Sequence, residues 1–391
     1  MLPTFGNSLW TFLFPVILLA ENVGAVQIGL VYTTVLIVLM FAQVPVGIFA
    51  DRYGRKATIV VGGVITTISA LIIGYSSAGL ITAVGYIMFS GVGSAFLGIG
   101  VTTLIIESVS KDRIATGYGT FVAIAGWASV IAPTLGGLEI VNHKTELLTL
   151  SATLYTIALA LRARLLKETL PSKDDSSPTE GEKVVTPASG FARIRLSLES
   201  VLSNKALLLI AITYVIYNMF FGQLSFIITV FSQETLHLST ATIGVMFSIW
   251  LLLDSQSSLF FGRLADQYDK TKIIMVSWFG ETVLMMIFAY SINATFALIS
   301  FGLWTLFGTL DGPALIAIYG QITQSESRGL SFGIINTFGQ VAALPIPLLA
   351  AVLYQTSPRL PFYLQLITNC AAFLFLVKVA FPRFRNTPVS T

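Results

Sequence analysis

Long apolar runs separated by short polar breaks repeat along almost the whole chain. They predict helices over 5–21, 27–49, 57–76, 79–107, 114–137 and 145–165, then 206–232, 240–262, 271–291, 294–321, 329–354 and 358–380. A helix needs about 20 apolar residues to cross a hydrocarbon core about 30 Å thick, and these runs meet that length. The pattern therefore predicts an all-α integral membrane protein of about twelve transmembrane helices. In the first run, Phe5 to Ala20 covers about 24 Å at 1.5 Å per residue. Either the helix runs past Glu21 or further sequence precedes it.

One long polar stretch interrupts the pattern. Leu166 to Lys205 holds Lys173, Asp174, Asp175, Glu180, Glu182 and Lys183 among serines and prolines, too polar to bury a core of its own. It divides the chain into a first set of six helices (1–165), a cytoplasmic linker (166–205) and a second set of six with a short tail (206–391). Near the linker's end, Phe191, Ile194, Leu198, Val201 and Leu202 recur at helical spacing with Arg193 and Arg195 between them. This segment is either an interfacial helix or an unstructured lead into the seventh span.

Composition narrows the function. Hydrophobic residues make up 55% and charged residues only 10%, with mean hydropathy +0.83, so water is not the main solvent. Cys370 is the sole cysteine, and His143 and His237 are the sole histidines, which leaves no set for a disulfide framework or metal site and implies no cofactor. Met1 to Asn7 has no basic residue ahead of the first apolar run, so the sequence predicts a retained helix rather than a cleaved leader. The net charge of +3 does not imply nucleic acid, because the spans put 20 of the 22 Lys and Arg on one side. Only Lys144 and Arg359 fall opposite. By the positive-inside rule the basic side is cytoplasmic, giving a multi-pass protein of the cell membrane with both termini in the cytoplasm. Asn293-Ala-Thr295, on the far side, fits a glycosylation sequon.

The two sets are related. An ungapped offset of 215 residues carries Ile28-Gly29 onto Ile243-Gly244, Gly47 onto Gly262, Ala50-Asp51 onto Ala265-Asp266, Tyr53 onto Tyr268 and Arg113 onto Arg328. Such a series indicates duplication, as in many secondary transporters whose solute site lies between the repeats.

After the second span the chain reads Gly47-Ile-Phe-Ala-Asp51-Arg52-Tyr-Gly54-Arg55-Lys56, and after the eighth Gly262-Arg-Leu-Ala-Asp266-Gln-Tyr-Asp269-Lys270. The first copy resembles the G-x-x-x-D-R-x-G-R-K signature of the major facilitator superfamily, and the second resembles its degraded counterpart. Across the whole chain the resemblance implies two pseudo-symmetric six-helix halves that rock about a central site, working as a monomer on a small-molecule substrate. It also implies that Asp51 faces the start of helix eleven near Gly329 to Ser331, and that Asp266 faces helix five near Ile114. Glycine at position 47 would let helix two approach a neighbour closely, and Gly54 suits a tight turn. Arg52 can pair with Glu107 or Asp112 at the end of helix four, while Arg55 and Lys56 also satisfy the orientation rule. Arg113 and Arg328 are the matching helix-end charges.

Helix five carries Ala128, Ala132, Pro133, Gly136 and Gly137, which resembles the family's antiporter motif G-x-x-x-G-P-x-x-G-G with alanine for two glycines. The same residues read as a proline kink beside a small-residue packing face. Three acids fall within spans: Asp254, Glu281 and Asp311. Carboxylates at that depth serve protons, cations or substrate. The resemblance favours Asp254 and Asp311, whose helices line or flank the cavity; Glu281 is a coupling group or a packing residue. Asn218, Gln223, Trp250, Trp304, Asn336 and Gln340 are candidate solute contacts. The sequence thus predicts proton-coupled efflux of a small organic solute by antiport, with proton-coupled uptake of a sugar, organic acid or other nutrient as the alternative. A channel would need pore-lining rings, an enzyme a catalytic constellation, and ATP-driven transport a G-x-x-x-x-G-K-[ST] loop; the sequence offers none of these.

Overall fold

The computed structural model describes residues 1–108, 121, 124–166, 168, 208–209, 212, 215, 225–312, 314–315, 318 and 338–377. Among the described residues the chain runs through α1 (Leu2–Ala20), α2 (Ala25–Tyr53), α3 (Arg55–Tyr75), α4 (Gly79–Tyr86 through Ser94–Ser108), α5 (Ala132–Glu139) and α6 (Lys144–Leu165). It continues through α7 (Ser225–Glu234), α8 (Thr240–Gln267), α9 (Lys270–Ala289), α10 (Ala294–Gly308), α11 (Phe338–Thr356) and α12 (Leu360–Phe375). Seven of these, α1 to α4, α6, α9 and α11, are long and apolar enough to cross a membrane, and α10 and α12 are shorter apolar helices. The described elements fall within the predicted spans to within a few residues. The first helix starts at Leu2 and stops at Ala20, so it gains its length at its beginning and does not run past Glu21.

Proline explains where helices break. Pro15 lacks an N–H and its ring crowds the carbonyl four residues back, and α1 passes through a 3-10 turn at Thr11–Leu13 just before it. Turns at 130–131 and 344–345 come just before Pro133 and Pro347, each in the first turn of the helical segment that follows. In α4 a π segment at Ile87–Gly93 places Gly91 and Gly93 where an added Cβ would meet Val38 and Thr66, letting α4 lie close to α2 and α3.

The two sets of helices meet backbone to backbone. A Cβ on Gly29 of α2 would stand 2.8 Å from the Pro347 carbonyl oxygen and 2.6 Å from Ala351 Cβ of α11. Its repeat partner, Gly244 of α8, lies against the Pro133 carbonyl of α5, and Gly137 of α5 lies against the Thr240 carbonyl of α8. Ser248 locks that second crossing: its Oγ accepts from the Thr134 N–H at 3.2 Å and shares a hydrogen bond with Thr134 Oγ1 at 2.7 Å. Gly136 lies against the Leu9 carbonyl of α1. Rings fill the space between: Phe12 of α1 stacks on Phe247 of α8 (4.8 Å), and Tyr32 of α2 on Phe226 of α7 (4.9 Å).

Close approach was also expected at Gly47; a Cβ there meets no described atom within 4 Å, and the starts of helices five and eleven lie almost wholly outside the described residues. Gly29 is near the start of α2, where that helix is pressed against α11. The two sets are sealed together at the Gly29 and Gly244 end.

At the sealed end stand the two basic residues that break the charge bias, and they hold equivalent positions. Lys144 Nζ donates to the Ser76 carbonyl just past α3 (2.5 Å) and pairs with Glu21 at 2.7 Å. Arg359, its counterpart 215 residues on, donates from Nε to the Ala289 carbonyl at the end of α9 (3.0 Å) and lies over the Tyr290 ring at 4.8 Å. Both serve the carbonyls that a helix leaves open at its C-terminus, where a cation is also favoured by the helix dipole. Asn293 caps the start of α10, its Oδ1 accepting from the Phe296 N–H at 2.8 Å, which gives the sequon's asparagine a structural task.

A methyl group at Gly244 has only backbone to push against. Gly244→Ala is expected to cost about 1–3 kcal/mol and to lower the melting temperature of the detergent-purified protein, whereas Gly47→Ala should leave it unchanged. Equal melting for the two variants would contradict the contacts described.

Candidate functional site

The signature turn is built from a glycine and a distant carboxylate. Gly54 joins α2 to α3 with φ +97°, a conformation that side chains rarely adopt, so the turn requires glycine there. Glycine has no side chain with which to cap α3. Glu168, just beyond α6, does so instead: Oε1 accepts from the Arg55 N–H at 2.8 Å and Oε2 from the Lys56 N–H at 3.1 Å. Its carboxylate lies where a Cβ on Gly54 would stand. Arg55 Nη1 turns back to the Ala50 carbonyl at 2.8 Å, tying the end of α2 to the start of α3. In the second copy the residue matching Gly54 is Asp269, and it caps α9 itself, Oδ1 accepting from the Thr271 N–H at 2.9 Å. The two copies thus solve one problem, open N–H groups at a helix start, in two ways. Sequence reasoning missed Glu168. The available signal was a glycine at the cap position of α3, which calls for an acceptor from elsewhere.

Arg52 is exposed, its guanidinium 5.4 Å from the Tyr53 ring, and Lys270 is the first residue of α9. Asp51, Glu107, Gly262 and Asp266 lie on described helical backbone, but their side chains are outside what the structure describes. Asp112, Arg113, Asn218, Gln223, Arg328 and Asn336 lie outside the described residues altogether, as does the linker beyond Glu168.

A second constellation gathers two of the three membrane acids. Glu281, in the middle of α9, is 2% exposed, and Asp311, just past the end of α10, is 1% exposed. They lie within electrostatic reach of one another. The Trp278 indole, one turn from Glu281, donates to Asp311 Oδ2 at 2.8 Å. Glu281 Oε1 is buried with no hydrogen-bond partner. Helix ten is interrupted here by a turn at 309–310 before helical residues resume at Asp311. Ser277 takes up one carbonyl near the interruption, donating to Phe307 at 2.6 Å, and Gly280 leaves room for the Phe307 ring. Two buried carboxyl groups, one aromatic N–H and an open acceptor make a site able to hold a proton or a cation.

The remaining candidates are scattered. Asp254 is exposed on α8 and does not join Glu281 and Asp311; its neighbour Ser255 packs against Gly126. Trp304 is the exception: 4% exposed, with Phe288 and Phe301 both 5.7 Å away, it sits in the packed interior of the second set with its indole within reach of the Glu281 carboxyl. Trp250 is half-buried, edge-on to Phe12 at 5.4 Å. Gln340 of α11 reaches Gln43 of α2 across the two sets at 3.5 Å. Pro133 starts the helical segment whose Gly136 and Gly137 face α1 and α8, so the motif's residues form a packing face.

A profile of the Major Facilitator Superfamily matches residues 2–310 and 224–390. Over 360 residues the chain is 21% identical to Multidrug resistance protein 1 of Bacillus subtilis (strain 168), covering 90% of this chain and 87% of that protein. It is 25% identical over 333 residues to the Multidrug efflux protein YfmO of the same organism, covering 85% and 72%. The crystal structure of a D-xylose-proton symporter superposes with TM-score 0.74 at 13% identity, covering 96% of each chain, a likeness of fold alone.

Removing the cap at the signature turn should be measurable directly. Glu168→Ala is expected to cost about 0.5–2 kcal/mol and to speed hydrogen exchange at the Arg55 and Lys56 amides, with Glu168→Gln falling between it and the parent. Unchanged exchange at those two amides would remove Glu168 from this role.

Proposed function

The chain belongs to the major facilitator superfamily, and within it we propose a proton-coupled exporter that exchanges a small organic solute for protons. The observation that carries this reading is the buried pair Glu281 and Asp311. Two negative charges held together out of water are far costlier than one, so the pair keeps at least one proton while it is closed. It can give that proton up once its surroundings open to water. Trp278 holds Asp311 through an N–H that suits the ionised carboxylate, and the open Glu281 Oε1 is the position for the exchanged proton. Efflux is supported by the names of the relatives that match most of the chain, among them the multidrug resistance and efflux proteins.

The moving parts are residues 1–165 and 206–391, joined by the cytoplasmic linker 166–205, with both termini in the cytoplasm. The seal at Gly29 and Gly244 then lies on the external side, and the Gly47 end faces the cytoplasm. Closing that end would bring Asp51 to the start of helix eleven and Asp266 to that of helix five, where the positive ends of the helices favour a carboxylate. Arg52, Glu107, Asp112, Arg113, Arg328 and Lys270 would frame the closed gate. The solute passes between the two sets, past Gln43 and Gln340, with Trp250, Asn218, Gln223 and Asn336 as further contacts. Asp254, on the same crossing of α5 and α8, is the second candidate for coupling.

Proteoliposomes loaded with a lipophilic cationic drug and a pH-sensitive dye test the exchange. Drug leaving the lumen by antiport should acidify it, whichever way the protein is inserted; alkalinisation would assign symport instead, and no pH change would remove proton coupling. In the same assay Glu281→Gln and Asp311→Asn are each expected to reduce the drug-linked proton flux to that of empty liposomes while drug binding persists. Full proton flux in both variants would eliminate the pair as the coupling site. Asp51→Asn should slow turnover with binding intact, and parental turnover would remove the gate role.

A further inference from the structure

A cavity of about 300 Å³ lies within the first set of helices, lined only by residues of α1, α3, α4 and α6 and by Phe121. Its wall is mostly apolar, with Phe89, Leu97, Val101 and Leu159 contributing. Two polar groups break that wall without being satisfied within it. Asn7 Oδ1 of α1 is buried and has no hydrogen-bond partner. Arg162 of α6 is half-buried beside it, and no carboxylate among the described residues reaches it.

The orientation of Arg162 is what makes the cavity more than a packing void. Tyr155, Leu159 and Arg162 follow one another at helical spacing and all line the cavity, whereas Arg164, two residues on, is exposed outside it. A basic residue that served only to orient the helix would reach outward to the lipid head groups as Arg164 does. Tyr155 adds a third polar contact: its hydroxyl accepts from the Trp10 indole at 3.2 Å, which leaves its own proton to donate. The cavity therefore offers a cation, a hydroxyl donor, one acceptor, and apolar walls of the size that suits a small ligand.

We propose that this cavity binds an amphipathic monoanion. Its acidic head accepts from Arg162, a hydroxyl or amide N–H near that head donates to Asn7 Oδ1, and its alkyl or aryl body packs on Leu97 and Val101. A ligand held in this way bridges α1 and α6 inside one half and leaves the path between the halves clear. The same chemistry occurs in free acids and in the head groups of anionic lipids.

The test uses the full chain in a neutral detergent and three probes, decanoate, 3-hydroxydecanoate and 1-decanol, titrated by calorimetry. Decanoate should bind at least about tenfold more tightly than decanol, since a charge-assisted contact is at stake, and 3-hydroxydecanoate more tightly than decanoate. Arg162→Gln should erase the preference for decanoate over decanol and leave decanol binding alone. Asn7→Ala should erase only the advantage of the hydroxyl. Equal affinity for decanoate and decanol in the parent protein would overturn the proposal, as would an unchanged preference in Arg162→Gln. If Arg162→Gln does not fold, the parent comparison and Asn7→Ala decide the matter. Native mass spectrometry of the purified protein then separates the sources. An anionic lipid retained by the parent and lost from Arg162→Gln identifies the bilayer as the source, and decanoate binding without retained lipid identifies a free acid.

Discussion

Backbone contact between helices at one end of the bundle is the constraint on which the rest of the structure depends. Lipid offers no hydrophobic reason for one apolar helix to prefer another, so association relies on close packing, and glycine permits the closest. Gly29 against the Pro347 carbonyl and Gly244 against the Pro133 carbonyl bring the two halves to that distance at equivalent positions of the repeat. Opening the seal would require separating the same glycines.

Helix ends supply the second organising demand. Each end leaves N–H or C=O groups that hydrocarbon cannot satisfy, and the chain answers with charged side chains from neighbouring elements. Lys144 and Arg359 serve the ends of α3 and α9, while Glu168 and Asp269 serve their starts. Helices three and nine, the outer helices of their halves, are thus fastened at both ends. The Glu168 contact also joins the segment just beyond α6 to the signature turn.

The chemistry that remains is concentrated where the fold tolerates interruption. Helix ten stops at Gly308 and resumes at Asp311, and the Phe307 carbonyl accepts from both the Leu310 N–H and the Ser277 hydroxyl. That interruption brings the Asp311 carboxyl beside α9, within reach of the Trp278 N–H and near Glu281. The irregular backbone thus lies beside two buried acids, where polar groups are close at hand to satisfy it.

Hydrophobic run lengths were sufficient to read the number, order and approximate bounds of the helices, because a bilayer of fixed thickness permits little else. The 215-residue repeat and the Gly47–Lys56 signature were legible as well, and so was the family, because both are carried by residue identities along the chain. The glycines at 29 and 244 were visible as a repeat pair, but that they press on the carbonyls of Pro347 and Pro133 was decided by how the helices pack. That Glu281 lies near Asp311, that Glu168 caps the α3 start and that Arg162 and Asn7 line one cavity was decided only in the tertiary structure. Helical periodicity says which residues share a face, but not which neighbouring helix that face meets, and an approach across 30, 113 or 155 residues leaves no local trace.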